Sequence, residues 1–198
     1  MTRTVVFWRH GQTDYNLAGR FQGQSDIPLN AVGEDQAARA AADLAELGPD
    51  LIVSSDLVRA AATADALASR VGLSVGRDAR LRETSFGDWE RLTRDEITQS
   101  WPDELHMWLS GADTRPPGGE TRTESARRVA AAITDIVTGS DADVIVIVAH
   151  GAVLRGAAEE LLEMTGTGRL AVLGNCGHGE FGFTGDRWVL RHWGTPPL

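Results

Sequence analysis

Two short apolar runs, each leading into a histidine and then a glycine, constrain the fold of this chain more than any other feature. Val5–Trp8 leads into Arg9-His10-Gly11, and Val144–Val148 leads into Ala149-His150-Gly151. Short runs rich in β-branched and aromatic residues are typical of strands buried in a parallel sheet. Ligands of open α/β sheets bind beyond the carboxyl ends of the strands, so both histidines are expected at one binding edge.

Helical and strand-like patterns alternate along the rest of the chain. The predicted helices cover residues 32–47, 57–71, 94–99, 102–109, 126–137 and 153–164, and the further predicted strands cover 51–53, 73–75, 180–183 and 187–193. Residues 14–29 are polar and interrupted by glycine, which predicts a long loop. This order predicts an α/β fold with a mostly parallel sheet, right-handed crossovers and a hairpin at one edge.

Length and composition exclude several classes of protein. The 198 residues predict one domain, 1–198, in which about 86–120 form a small helical lid. A net charge of -9 argues against nucleic acid as a partner. Cys176 is the only cysteine, so neither an intramolecular disulfide nor a multi-cysteine zinc site is expected. Because no apolar run has the length of a membrane span or of a signal-peptide core, no membrane partner and a cytoplasmic location are expected.

The side chains expected at the binding edge favour an anionic substrate. Arg9 accompanies His10, and Arg59 lies in the first turn of the helix predicted at 57–71. The chain has no lysine, which excludes lysine-dependent phosphate binding, but arginine binds phosphate bidentately. A neutral imidazole can attack phosphorus through one nitrogen, and the leaving oxygen then needs a proton. Glu83 is the candidate for that proton transfer.

Other interpretations of these residues stay open at the level of residue type. An ion pair with Arg80 or Arg82 at the surface is the more usual role for a residue such as Glu83. Ser54 and Ser55 lack the surroundings of a nucleophilic serine and are predicted to cap a helix. No H-E-x-x-H or H-x-H spacing occurs, so a metal site is not expected. Residues 166–168 follow a predicted helix and indicate a turn.

The ordered set of motifs resembles the histidine phosphatase superfamily, in its phosphoglycerate-mutase-like branch. The motifs that carry the resemblance are Arg9–Thr13 with Asn16, Ser54–Ala60, Glu83 before Phe86–Glu90, and Ala149–Gly151. They occur in the family's order over nearly the whole chain. The resemblance implies a three-layer α/β/α sandwich, a phosphohistidine intermediate on His10, no metal or other cofactor, and a homodimer.

The resemblance also implies a role for each matching residue. Arg9, Asn16, Arg59 and His150 would bind the transferred phosphoryl group, and Glu83 would be the proton donor. Gln22 and Gly23 match positions that contact the substrate, and Gly151, beside His150, is counted with them. The catalytic set expected on this basis is His10, Glu83, His150, Arg9 and Arg59, and the substrate-binding set is Asn16, Gln22, Gly23 and Gly151.

Within the superfamily, Phe86–Trp89 resembles the phosphatases, because the mutases usually carry a tyrosine near this segment and have longer chains. The expected partner is therefore a small-molecule phosphomonoester. The sequence around the motifs is most similar to that of a group of phosphatases that act on a phosphorylated sugar acid, glucosyl-3-phosphoglycerate. Arg91 and Ala152 depart from the glycines common there, so substrate identity stays open. The alternatives are a broad-specificity phosphatase, a phosphoglycerate mutase and a non-catalytic module that binds phosphorylated ligands.

Overall fold

The computed structural model describes residues 2–165 and 168–195, which form a six-stranded sheet and its flanking helices. The strands are β1 (Arg3–Arg9), β2 (Leu51–Ser54), β3 (Val75–Arg77), β4 (Val144–Ala149), β5 (His178–Phe183) and β6 (Trp188–Thr195). The helices are α1 (Asp14–Leu17), α2 (Ala31–Ala45), α3 (Val58–Val71), α4 (Arg94–Ser100), α5 (Pro102–Leu109), α6 (Arg122–Thr138) and α7 (Gly151–Leu161). Short 3-10 turns cover Ala79–Leu81 and Gly87–Trp89.

The sheet has the strand order β3-β2-β4-β1-β5-β6. The first four strands in this order run parallel, and β5 and β6 form an antiparallel hairpin beside β1. Crossover helices between parallel strands place α2 and α3 on one face and α6 and α7 on the other. The predicted α/β/α sandwich with a mostly parallel sheet is therefore confirmed.

Alternation along the strands builds two cores, one on each face of the sheet. Val5 and Phe7 of β1 pack with the helical residues Val129 and Ile133, while Val6 and Trp8 pack against α2 and α3. Successive side chains of a strand point to opposite faces, so an apolar run of this kind requires a helical layer on both sides. β1 and β4 are consequently the most enclosed elements of the sheet.

The segment of residues 86–120 has an apolar cluster of its own, apart from the two cores of the sheet. Its buried members are Phe86, Trp89, Ile97 and Leu105. Phe21, Trp101 and Trp108 pack against them, and the guanidinium of Arg122 lies 3.8 Å from the ring centroid of Trp108. The helices predicted at 94–99 and 102–109 occur here as α4 and α5.

Several local predictions differ from the structure. Residues 14–29 contain the one-turn helix α1, because Thr13 and Asn16 form a capping box that was not anticipated. The third strand covers Val75–Arg77, not 73–75, since Gly72 ends α3 in the left-handed region and the chain turns before pairing with β2. α7 occupies Gly151–Leu161, not 153–164. Gly166 and Thr167 of the predicted turn lie outside the described residues.

The prediction that Ser54 and Ser55 cap a helix is wrong. Ser54 ends β2, and the residue at the cap of α3 is Leu57, whose side chain makes no capping hydrogen bond. The first turn of α3 instead receives a carboxylate from elsewhere, since Asp26 accepts a hydrogen bond from the backbone N–H of Val58 at 2.7 Å. Within the described residues, no helix has the length and apolarity needed to cross a membrane.

Candidate active site

The register between β1 and β4 places the two strand-end histidines side by side. Arg9 is paired with Ala149 in this parallel ladder, so the next residue of each strand is a histidine. The ring centroids of His10 and His150 are 5.1 Å apart, with the ring planes inclined at 61°. Both side chains are buried. The two histidine–glycine motifs therefore form one pair of imidazoles at the carboxyl edge of the sheet.

The surroundings of His10 leave Nε2 as its basic nitrogen. Its Nδ1 lies 2.7 Å from the carbonyl oxygen of Gly11, which can only accept a hydrogen bond, so Nδ1 carries the proton. Burial lowers the pKa of His10 well below its usual value, and the nearby Arg59 and Arg9 guanidiniums lower it further. His10 is consequently a neutral imidazole with its Nε2 lone pair available.

His150 adopts the opposite arrangement, because its Nε2 lies 2.9 Å from the hydroxyl oxygen of Ser55. The Ser55 hydroxyl oxygen also accepts from the backbone N–H of Leu57 at 3.4 Å, so we assign the hydroxyl proton to the hydrogen bond with Nε2, which places the proton of the neutral ring on Nδ1. Nδ1 is buried and has no hydrogen-bond partner among the described residues. Burial, and then Arg59, lower the pKa of His150 well below its usual value. His150 thus offers an unused N–H donor next to His10.

Two buried neutral histidines have a measurable consequence for stability. Below about pH 6.5 the unfolded chain protonates them and the folded chain does not, so the free energy of unfolding falls as pH falls. The expected slope is at most about 1.4 kcal/mol per pH unit per histidine, and the contribution is constant above about pH 6.5. The pKa of His178 is also lowered by burial, which adds to the slope in the same direction.

Urea unfolding at three pH values between 7.5 and 5.5 measures this slope. We expect His10→Asn to reduce it, whereas His106→Asn, which changes an exposed histidine of α5, leaves it unchanged. A free energy of unfolding that is level across this range would contradict the prediction, because it would show that the two rings take up protons equally in the folded and unfolded chain.

Two arginines lie beside the imidazoles, and each has an N–H donor without a partner among the described residues. Arg59 is completely buried, and its Nη1 and Nη2 donate to the carbonyl oxygens of Ser25 and Gly23 at 2.8 Å each. Burial lowers the pKa of Arg59 to about 10, so it stays charged at neutral pH. Arg9 donates from Nη1 to the carbonyl oxygen of Leu173 at 2.5 Å. The Nε atoms of both arginines are buried without a partner among the described residues.

Glu83 lies at the N-terminus of α7 and not in a surface ion pair. Its Oε2 accepts from the backbone N–H of Ala152 and its Oε1 from that of Val153, each at 3.2 Å. The first N–H groups of a helix have no partner within the helix, and the two side-chain oxygens of Glu83 satisfy two of them. The ion pair with Arg80 or Arg82 was wrong as an interpretation, because those arginines bind aspartates.

Both arginines form ion pairs with aspartates. Arg80 pairs with Asp78 and Asp135, and Arg82 pairs with Asp56. Neither guanidinium is therefore available to pair with Glu83, whose side chain lines the cleft.

The remaining predicted residues complete one cleft of about 290 Å³. The predicted residues that line it are Arg9, His10, Asn16, Gln22, Gly23, Arg59 and Glu83. The Thr13 hydroxyl lies within hydrogen-bond distance of both Asn16 Oδ1 and Gln22 Oε1, at 3.1 and 2.9 Å, and so holds these two amides together. All the predicted site residues therefore lie together, with His150 beside His10.

Two glycines are required by close approaches around the cleft. A Cβ on Gly151 would lie 2.9 Å from Cγ1 of Val172 and 3.2 Å from the guanidinium carbon of Arg9, so a larger residue would displace these side chains. Gly23 has a φ of +54°, and a Cβ there would lie 2.2 Å from Oε1 of Glu90. Both glycines thus preserve the position of an arginine, since the carbonyl oxygen of Gly23 accepts from Arg59.

Two residues of the site were missed from the sequence. Ser55 contacts His150, and Asn175 donates from Nδ2 to the carbonyl oxygen of His10 and to Oδ1 of Asn16, at 3.2 and 3.1 Å. Neither residue type is distinctive alone, but the end of β2 was already expected at the binding edge. In the described parts of the chain, no group of three or more His, Cys, Asp or Glu side chains could hold a metal ion.

The comparisons with known proteins agree with this geometry. Residues 5–196 match the model of the histidine phosphatase superfamily, branch 1. The chain therefore belongs to the histidine phosphatase superfamily. The predicted family and enzyme class, a phosphoric monoester hydrolase, are confirmed.

Within the superfamily, the chain is similar to a glucosyl-3-phosphoglycerate phosphatase of Mycolicibacterium vanbaalenii. The two are 40% identical over 212 aligned positions, which cover 96% of this chain and 94% of the relative. A solved mycobacterial glucosyl-3-phosphoglycerate phosphatase in complex with VO3 superposes with a TM-score of 0.91 at 38% identity, covering 98% of this chain and all of the other. A probable phosphoglycerate mutase of Salmonella paratyphi C is 33% identical over 96% of this chain and 89% of its own.

Proposed function

We propose that this protein hydrolyses a phosphomonoester through a phosphohistidine formed on His10. One observation carries the proposal: a nucleophilic nitrogen stands among three buried N–H donors that have no partner in the described structure. The donors are Arg9 Nε, Arg59 Nε and His150 Nδ1. Buried donors are rarely left unpaired, and a phosphoryl group accepts several charge-assisted hydrogen bonds at once. A phosphoryl group bound beside His10 Nε2 would satisfy them.

The first step transfers the phosphoryl group to the protein. Nε2 of His10 attacks phosphorus, the bond from phosphorus to the ester oxygen breaks, and the protonated carboxyl of Glu83 gives its proton to that oxygen. Negative charge on the equatorial oxygens is stabilised by the two guanidiniums and by Nδ1–H of His150. The Nδ1–H of His10 stays bonded to the Gly11 carbonyl, which disperses the charge formed on the ring.

The second step returns the site to its starting state. The Glu83 carboxylate takes a proton from a water molecule, whose oxygen attacks phosphorus as the bond from phosphorus to Nε2 breaks. Inorganic phosphate leaves, and Glu83 is again protonated for the next substrate. Both steps use the same groups in the reverse sense, so one carboxyl serves as acid and then as base.

We further propose a phosphorylated sugar acid as the substrate, with glucosyl-3-phosphoglycerate the first to test. The names and the high coverage of the mycobacterial relatives support this choice. The proposal includes a lid role for residues 86–120, because Phe86 lines the cleft and Trp108 packs edge-on against it. We also propose that the chain forms one domain and that the protein is a cytoplasmic homodimer. Light scattering would test the dimer, and cell fractionation would test the location.

A panel of phosphomonoesters assayed in EDTA tests the proposed reaction. The panel holds glucosyl-3-phosphoglycerate, 3-phosphoglycerate and an aryl phosphate, and we expect release of inorganic phosphate with the sugar acid hydrolysed best. Isomerisation of 3-phosphoglycerate that depends on an added bisphosphate would indicate a mutase instead. Binding of these esters without turnover would indicate a non-catalytic module.

Ser55 is expected to act by positioning His150. Ser55→Ala removes the hydroxyl that holds Nε2 unprotonated, so the neutral ring can place its proton there and withdraw the donor at Nδ1. We expect kcat to fall about tenfold with little change in KM, equivalent to about 1.4 kcal/mol in the transition state. Nitrogen-15 NMR of the His150 ring would show the change of tautomer.

Ser54→Ala provides the matched control for this variant. Ser54 is equally buried, and its hydroxyl donates to the backbone carbonyl of Ser55 without contacting His150. We expect Ser54→Ala to leave the His150 tautomer unchanged. If the two variants lose equal kcat and the nitrogen-15 spectrum of His150 is unchanged in Ser55→Ala, Ser55 has only a packing role.

A further inference from the structure

A second cavity lies between α6 and α7, beside the cleft that contains His10. Its volume is about 210 Å³, which suits an anion with a small organic body and is below the usual size of a drug-binding pocket. The residues that matter for its chemistry are Thr84, Arg122, Arg127, Arg155, Glu159 and Glu160. Neither of the two steps proposed above uses these side chains.

Arg122 and Arg155 place two positive charges in this cavity. Burial lowers the pKa of Arg122, and repulsion from Arg155 lowers it further. Among the described residues, Arg122 donates to the backbone carbonyl oxygens of Trp108 and Ala112, at 2.8 and 3.2 Å, and its guanidinium lies over the Trp108 ring, but it binds no carboxylate. The nearby Asp113 carboxylate accepts from the backbone N–H of Thr123 and forms no ion pair with Arg122 within the described residues.

Arg155 is the less satisfied member of this pair. Its Nε is buried and has no hydrogen-bond partner, and its guanidinium forms no ion pair, among residues 2–165 and 168–195. The buried Nε–H of Arg155 loses the hydration that it has in the unfolded chain without gaining an acceptor among the described residues. The position is therefore suited to an acceptor that the protein itself does not supply.

The carboxylates of the cavity are already engaged. Glu160 lies 3.5 Å from Arg127, which leaves this pair neutral. Glu159 accepts from the backbone N–H groups of Gly168 and Leu170, at 3.1 and 2.9 Å, and so serves the chain that follows α7. Among the described residues neither Arg122 nor Arg155 forms an ion pair, and the two guanidiniums outnumber the one carboxylate of the cavity lining that is not itself paired, Glu159.

We propose that this cavity is a second anion-binding site, which takes the carboxylate or phosphate group of a small metabolite between Arg122 and Arg155. Guanidinium groups bind both kinds of oxyanion through paired N–H donors, and a bound oxyanion removes the repulsion between the two arginines. The site goes beyond the proposed function, since it is separate from the cleft of His10.

The position of this site links it to the proposed proton donor. Ala152, which lines the cavity, donates its backbone N–H to Glu83, and Thr84 is the next residue of the chain. Thr84 also shares a hydrogen bond of 2.8 Å with Ser125 of α6. An anion held here therefore lies against the same helix N-terminus that holds the Glu83 carboxylate.

Calorimetric titration of inorganic phosphate and of glycerate tests the proposal. Orthovanadate is kept saturating throughout, so that the cleft of His10 is occupied and only further binding is measured. We expect the wild-type protein to bind at least one of the two anions at one additional site. Arg155→Met should weaken that binding at least about tenfold, because it removes the charge-assisted donors.

Arg70→Met is the matched control, because it removes the same charge from the exposed last turn of α3, outside the cavity. We expect it to retain the affinity of the wild-type protein. Phosphate and glycerate as separate arms distinguish a free phosphate ligand from a carboxylate ligand. No binding beyond vanadate, equal binding by Arg155→Met, or an equal loss in Arg70→Met would overturn the proposal. If vanadate itself does not bind, the proposed function fails. Titrations of phosphate and of glycerate without vanadate would then still give the number of anion-binding sites in the wild type and in Arg155→Met.

Discussion

Replacing His10 by alanine is expected to lower kcat for phosphomonoester hydrolysis at least about 10⁴-fold, which is the size of effect seen when an enzyme loses its nucleophile. Within the described part of the site, the second imidazole, His150, does not offer a free lone pair toward the substrate. In the tautomer assigned above, Nε2 of His150 accepts from the Ser55 hydroxyl and Nδ1 carries the proton. We therefore expect turnover of every ester to be lost together, because all would share the same phosphohistidine.

The measurement combines steady-state kinetics with trapping of the intermediate. Rapid denaturation in alkali, which preserves phosphohistidine, should show a phosphorylated peptide containing His10 in the wild-type protein and none in His10→Ala. His106→Ala, on the exposed side of α5, serves as the control and should behave as the wild type. Activity that survives His10→Ala would remove the basis of the proposed reaction.

Replacing Glu83 by glutamine is expected to have an effect that depends on the leaving group. For a sugar-acid ester the departing oxygen is a poor leaving group, so loss of the general acid should lower kcat about 10²- to 10⁴-fold. For an aryl phosphate the departing phenolate needs little protonation, and the loss should be much smaller. Glutamine keeps an oxygen that can accept from the N-terminus of α7, so the fold should be preserved.

The comparison of the two esters separates proton transfer from structural damage. Glu34→Gln, which changes an exposed carboxyl in the first turn of α2, is the control and should change neither rate. Equal losses on the sugar-acid and aryl esters would assign Glu83 to binding or to the support of α7 and not to proton donation. Dependence of the loss on leaving-group basicity is thus the result that supports the proposed role.

The fold was predictable from sequence where the signal is periodic and strong. The apolar runs that became β1 and β4 determine the centre of the sheet, and their carboxyl ends determine where His10 and His150 lie. β3 was misplaced by two residues because a three-residue strand has almost no pattern of its own. Helix ends were less certain for the same reason, since caps depend on geometry within a single turn.

The contacts that organise the site could not be predicted, because they join residues far apart in the chain. Ser55 and His150 are separated by 95 positions, and Glu83 and Val153 by 70. A local interpretation sees a serine before a helix and predicts a cap, or a glutamate between arginines and predicts an ion pair. Only the packing of α7 against the edge of the sheet decides both cases.

The separate apolar cluster of residues 86–120 has a consequence for how the protein opens. Because Phe86, Trp89, Ile97 and Leu105 pack mainly with one another and with Phe21, this segment can lose its structure while the cores of the sheet stay intact. Amide hydrogen exchange would then proceed by partial opening in α4 and α5, whereas β1 and β4 would exchange only with global unfolding. Residues 86–120 beside the cleft can thus open locally while His10 and His150 keep their relative orientation.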